Sequence, residues 1–151
     1  MNIHFNDTAP ANASAEQLFD VVTDYESYPE FNSALIKVEI VRKDNWGAEF
    51  LADRKTKIAK RVRAFDRYQR SGDLVVERTY EGSESARSTW TIRRVDAEHS
   101  TLTIDASQSL GFVRGIVMRP LLKKIFYGIN FKPFIEEAER RAKTSEASPA
   151  A

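Results

Sequence analysis

Six successive segments of this chain place their apolar side chains on even-numbered positions, a pattern held from Ile36 to Ala106. The set includes Ile36, Val38 and Ile40; Ala48, Phe50 and Ala52; Val62 and Ala64; Leu74 and Val76; Trp90 and Ile92; and Leu102, Ile104 and Ala106. Odd positions hold mainly Lys, Glu, Arg and Thr. A period of two belongs to β-strands with one buried and one solvated face. The segments run over 35–43, 46–57, 60–69, 73–81, 85–95 and 100–109, with turn-rich separators such as Lys43-Asp-Asn45 and Arg70-Ser-Gly-Asp73. Connections this short predict an antiparallel meander, because parallel pairing needs long crossovers.

Helical signals flank the meander. Ile3 and Phe5 alternate with polar neighbours ahead of Pro10 and predict a short first strand. Ser14-Ala-Glu-Gln17 is a capping-box pattern, so a helix should follow with Leu18, Phe19 and Val22 inward, stopping near Asp24. Tyr25-Glu-Ser-Tyr28 fits one further helical turn before Pro29. After the last strand, residues 112–135 read FVRGIVMRPLLKKIFYGINFKPFI, apolar on nearly every side, with five basic residues and no acid. Such a helix needs cover on more than one side. Either a curved sheet grips it or it bounds a cavity. Pro120 and Pro133 predict a delayed start or a kink. The expected fold class is α+β, with one domain over 1–143 and a disordered tail over 144–151.

At 151 residues, with 42% hydrophobic and 30% charged side chains, the chain can bury one sizeable core without staples. It has no cysteine, which excludes disulfides and thiol chemistry. The first residues lack a signal-peptide pattern, so the cytoplasm is the expected compartment. Charge is uneven: up to Ile36 there are six acids and no lysine or arginine, whereas residues 54–67 carry seven basic side chains and one acid. Because those basic residues alternate with apolar ones, the reading favours a solvated strand face over a nucleic-acid site.

Three stretches in this order carry a resemblance: SAEQLFDVVTDYESYPEFNS at 14–33, STWTIRRV at 88–95 and MRPLLKKIF at 118–126. The chain resembles the START/Bet v 1-like helix-grip superfamily, near its polyketide cyclase/dehydrase and coenzyme-Q-binding branches. The resemblance implies a seven-stranded curved antiparallel sheet around a long C-terminal helix, two short helices between strands 1 and 2, and a hydrophobic tunnel between sheet and helix.

Two features of the even-numbered face bear on function. Many of its members are small (Ala48, Ala52, Ala64, Ala86, Ser88, Ala106), which means either close helix approach or unfilled volume. Its parity is also broken by Arg54, Asp66 and Arg78, with Tyr68 and Tyr80 beside them. Hairpin turns near 58–60 and 70–72 would set Arg54, Ala64 and Arg78 abreast, with Asp66 diagonal to both arginines. Inward charges must be paired. Either they satisfy one another, or one arginine keeps a donor for a ligand carboxylate, phosphate or quinone oxygen. Trp46 and Trp90 share this face by parity and read as core filler.

The expected ligand-binding residues are Phe50, Arg54, Asp66, Tyr68, Arg78, Tyr80 and Trp90 from the sheet, with Met118, Leu122, Ile125 and Ile129 from the helix. The reading favours a carrier for a hydrophobic small molecule (a lipid, isoprenoid quinone or polyketide-like aromatic) over an enzyme. The alternatives are a cyclase or dehydratase in the same cavity, with Asp66 as base, and a basic-surface module for RNA or anionic membrane. In the membrane variant Arg114, Arg119, Lys123 and Lys124 meet the lipid. His4 on the outer side and His99 in a turn have no nearby nucleophile, and no metal, cofactor or catalytic motif is expected.

Overall fold

A computed structural model describes residues 2–55, 61–81, 87–109, 124 and 127–147. Its seven strands are β1 (Asn2–Ala11), β2 (Leu35–Lys43), β3 (Gly47–Arg54), β4 (Arg61–Gln69), β5 (Leu74–Tyr80), β6 (Arg87–Arg94) and β7 (Ser100–Ser109). They form one antiparallel sheet in the order β1-β7-β6-β5-β4-β3-β2. Helices α1 (Ala15–Val22) and α2 (Tyr28–Phe31) lie between β1 and β2, joined by a 3-10 turn at Tyr25–Ser27. The terminal helix α3 spans Lys132–Ala147 after a π-helical turn at Tyr127–Phe131. This is the helix-grip architecture.

The even face is the inner one. Ala48, Phe50, Ala52, Ala64, Val76, Trp90, Ile92, Leu102 and Ile104 are all buried. The capping box forms as expected: Ser14 Oγ accepts from the Gln17 N–H, and Gln17 Oε1 accepts from the Ser14 N–H. Ala15, Leu18, Phe19, Val21 and Val22 of α1 pack inward. Pro29 does not end a helix but sits in the first turn of α2, where its missing N–H has no intrahelical partner to lose. The first strand continues through Pro10 to Ala11, well past the expected Ile3–Phe5 pair.

Two expectations of the parity reading fail, both at the sheet edge. β2 carries register shifts between Leu35 and Lys37 and between Ile40 and Arg42. The residues skipped are Ile36 and Val41, which are exposed at 60% and 51%. A bulge inserts one residue and re-aims its side chain, so the even rule breaks there. Trp46 is not core filler: it stands in the β2–β3 turn and is 79% exposed. The next residue must be glycine, since a Cβ on Gly47 would lie 2.1 Å from the Asp66 carbonyl oxygen. β3 and β4 therefore close tightly beside Asp66.

The outer face answers much of the basic 54–67 segment with acids. Arg61 pairs with Glu39 at 3.0 Å and Asp53 at 3.4 Å, and Arg63 with Glu81 at 3.3 Å and Glu49 at 3.6 Å. These exposed pairs fix cross-strand order and add little stability.

The kink expected at Pro133 has a specific partner. Proline offers no N–H to the carbonyl four residues back, which is that of Ile129. Asn32, 4% exposed just after α2, donates its Nδ2 to that oxygen at 3.0 Å, while its Oδ1 accepts from the Ala34 N–H at 3.1 Å. The π-helical turn ends on the buried Phe131 where α3 begins, and Phe134, Ile135 and Ala138 are buried beyond it. The kink expected at Pro120 lies outside the described residues.

Asn32→Ala should lower unfolding free energy in urea by about 1–3 kcal/mol, the cost of stranding a buried acceptor. Adding Pro133→Ala, which restores a helical donor, should recover part of that loss; strictly additive costs would refute the assignment.

Candidate functional site

The strand register decides which inner side chains meet. Asp66 lies opposite Arg78, with Ala48 and Ser88 abreast on the flanking strands and Ala106 next to Ser88. Ala64 faces Phe50 and Tyr80 instead of the expected Arg54 and Arg78. Both slips are even (54 against 50, 78 against 80), so they leave the inner face intact and change only the neighbours. Arg54, half-buried, pairs across the ladder with Leu35 at the far end of β3 and is not part of the charged pair.

Asp66 and Arg78 form a bidentate ion pair. Arg78 Nε donates to Asp66 Oδ1 at 2.8 Å and an Arg78 terminal N–H donates to Oδ2 at 2.8 Å. The side chains are 0% and 6% exposed, respectively. The helical corner supplies the remaining partners. Tyr25 Oη donates to Asp66 Oδ2 at 2.6 Å and shares a 2.6 Å hydrogen bond with Tyr68 Oη. Tyr28 Oη accepts from Arg78 at 2.9 Å and donates to the Val22 carbonyl. Among the described residues no buried side-chain nitrogen or oxygen lacks a partner.

Aromatic rings enclose the cation. The guanidinium carbon lies 5.1 Å from the Phe50 centroid, 5.2 Å from Trp90 and 5.7 Å from Tyr28. Tyr25 stacks on Phe50 at 4.5 Å, and Phe134 of α3 meets both Tyr28 and Trp90 edge-on at 5.0 Å. A guanidinium removed from water gains from ring faces as well as from its counterion. One cluster thus joins α1, α2, α3 and the sheet.

Burial governs the ionisation of these groups. It pushes the Tyr25 hydroxyl well above its ordinary value, and the Asp66 carboxylate pushes it further. Burial also raises Tyr28, partly offset by Arg78. For Arg78 burial opposes the charge, but the attraction and hydrogen bonding of Asp66, together with Tyr28 and Tyr80, outweigh it and hold the cation protonated. Asp66 and Arg78 thus satisfy one another, with Tyr25 and Tyr28 completing the pair from the helical corner. Both Asp66 oxygens are already engaged, by Arg78 and Tyr25. The histidines lie apart, His4 beside Asp105 at 3.1 Å and His99 beside Asp96 at 2.7 Å, both exposed. Among the described residues no group of acids and histidines is placed to hold a metal.

Of the expected ligand-binding residues, Phe50, Asp66, Tyr68, Arg78 and Trp90 are buried together, and Tyr80 is half-buried beside them. Ile129 has an exposed side chain. Met118, Leu122 and Ile125 lie outside the described residues, as does the helix segment that would close the expected cavity. A separate surface cleft of about 380 Å³ lies between the start of α1, the β6–β7 turn and the end of α3, near Ser14, His99 and Lys143. No helix among the described residues is long and apolar enough to cross a membrane.

A sequence profile of the polyketide cyclase / dehydrase and lipid transport family matches residues 11–129. No curated protein matches the chain. Solved structures do. The Zhui aromatase/cyclase from Streptomyces sp. R1128 is 18% identical over 93% of this chain and 96% of its own, with a TM-score of 0.64. A START superfamily protein from Mycobacterium smegmatis is 15% identical over 93% and 97%, at 0.63. A STAR-related lipid transfer protein fragment from Xanthomonas axonopodis is 14% identical over 89% and 85%, at 0.63. These likenesses establish the shared fold.

Tyr25 and Tyr28 titrate upward from an ordinary value of 10.0, so the folded state holds both protons more tightly than the unfolded chain. The stability they contribute is complete below pH 10 and is lost as pH rises beyond it. In an alkaline titration followed by tyrosinate absorbance, two of the five tyrosines should ionise only with unfolding; smooth ionisation of all five in the folded protein would contradict this. Asp66→Asn should cost about 3–5 kcal/mol, the penalty of leaving one buried charge without its partner.

Proposed function

The chain belongs to the polyketide cyclase / dehydrase and lipid transport family, and from that premise we propose that it carries a hydrophobic small molecule with a neutral polar end. The ligand sits against the inner face of the sheet. The observation that carries this reading is a contrast along that face. At one end α3 packs on α1, α2 and β1, and its Phe134 fills the space over Trp90. Toward the β3–β4 hairpin the inner residues are small or only half-buried: Ala52, Val62, Ala64 and Tyr80, with Phe31 and Leu35 at the rim. Small-molecule sites combine such apolar walls with a few fixed polar groups.

The polar groups indicate the ligand's character. Asp66 and Arg78 neutralise each other and are capped by Tyr25 and Tyr28, so the floor of the site presents no net charge to a headgroup. The hydroxyls beside it are those of Tyr80, close enough to act on Tyr28 and Arg78, and Ser88, which accepts from Trp90 Nε1 at 3.0 Å. A carbonyl or phenolic oxygen suits hydroxyl donors. This favours a quinone- or polyketide-like aromatic over a fatty-acid carboxylate. Cyclase-type catalysis through Asp66 is disfavoured by its bidentate arginine.

Binding is tested with a neutral arylamine fluorescent probe and the same ring bearing a sulfonate. The neutral probe should bind more tightly, and Val62→Trp should weaken it at least tenfold by filling the half-buried corner (about 1.4 kcal/mol per decade). Equal binding of the sulfonated probe sinks the neutral-ligand reading. Failure of both probes, together with a ligand-free mass in native mass spectrometry, sinks the carrier reading.

A further inference from the structure

The β2–β3 turn presents an aromatic side chain in a way the interior does not explain. Trp46 is 79% exposed, the most exposed large apolar side chain among the described residues, while Trp90 is 1% exposed. The turn that carries it is fixed. Asp44 Oδ1 accepts from the Trp46 N–H at 2.8 Å and from the Gly47 N–H at 3.1 Å, and these backbone bonds hold its carboxyl below the usual range. The Trp46 carbonyl accepts from the Tyr68 N–H at 2.8 Å, and Gly47 is pressed against the Asp66 backbone. An indole held out on so constrained a turn costs little further order when something binds it.

Its collar is cationic. Arg42 and Lys43 precede it on β2, Arg67 lies opposite Gly47 on β4, and Arg70 follows, its guanidinium over the Phe19 and Tyr68 rings. Lys43 donates to the Thr23 carbonyl at 2.8 Å with its ammonium 5.5 Å from the Tyr25 ring centroid. The acid within the turn, Asp44, is engaged by the two N–H groups and by Arg42. Val41, turned out by the β2 bulge, adds a second exposed apolar group.

We propose that this turn docks on an anionic lipid surface, with Trp46 seated at the headgroup level. Tryptophan prefers that boundary because its ring is apolar and its N–H can stay wet. A protein hot spot is ringed by near-neutral contacts that exclude water. Here an exposed indole stands among Arg42, Lys43, Arg67 and Arg70, which outnumber the acids Asp44, Glu49 and Glu77 beside them and suit lipid phosphates. The turn lies at the opposite end of β3 from Arg54, so docking here leaves the Val62 corner facing away from the lipid. The inference is independent of what the inner face binds.

The two tryptophans make the test direct. Vesicles of phosphatidylglycerol and phosphatidylcholine should shift the emission of the intact protein to shorter wavelength, and pure phosphatidylcholine should not. Raised salt should reverse the shift. In flotation, Trp46→Ser should abolish binding and Arg67→Gln should weaken it about fivefold, with unchanged emission from buried Trp90 verifying that Trp46→Ser is folded. Absence of a shift with anionic vesicles overturns the proposal. So does flotation of Trp46→Ser equal to the intact protein, or a shift that tracks protein concentration without lipid, which would mark a second copy as the partner.

Discussion

The ion pair between Asp66 and Arg78 organises everything around it. Two charges taken out of water are costly, and their attraction repays that cost only when geometry and further hydrogen bonds are good. The fold meets both conditions by bringing its helical corner down onto the sheet: Tyr25 completes the carboxylate and Tyr28 the guanidinium. Rings from β3, β6 and α2 surround the cation, and Phe134 of α3 packs on two of them. The layers are therefore held in one relative position by a polar contact that tolerates little sliding. Hydrophobic burial alone is less exacting about angle and register.

The same contact shapes the site. A fully satisfied pair is electrically quiet, so the inner face keeps structural charges without offering them to a ligand. Around the pair the face is mainly aliphatic, aromatic or hydroxylic, with small side chains at Ala52 and Ala64.

How far the sequence could be read follows from the physics of strands. A period of two identifies faces without knowing partners, so Phe50, Asp66, Tyr68, Arg78 and Trp90 were assignable to the interior. Register depends on turn geometry, and an even slip leaves every face unchanged while replacing every neighbour. That is why Asp66 was found inward but was set beside Arg54 as well as Arg78. Bulges escape a parity rule by construction, hence Ile36; a turn residue belongs to neither face, hence Trp46. Tyr25 and Tyr28 were legible as a helical turn but not as partners of charges 41 and 50 residues away, because local pattern carries no information on which tertiary surface a corner meets. Family membership came more readily, since it rests on the order of elements and not on individual contacts.

The bond from Asn32 to the Ile129 carbonyl spans 97 residues of sequence. Its donor is made early and its acceptor late, so the closing helix completes itself on a corner that already exists. The start of α3 is thus fastened to a corner made from the first quarter of the chain. Contacts of such separation are entropically expensive to reach and slow the final step. The helix and the aromatic floor it covers are therefore joined by a polar tie as well as by the rings of Phe134, Tyr28 and Trp90.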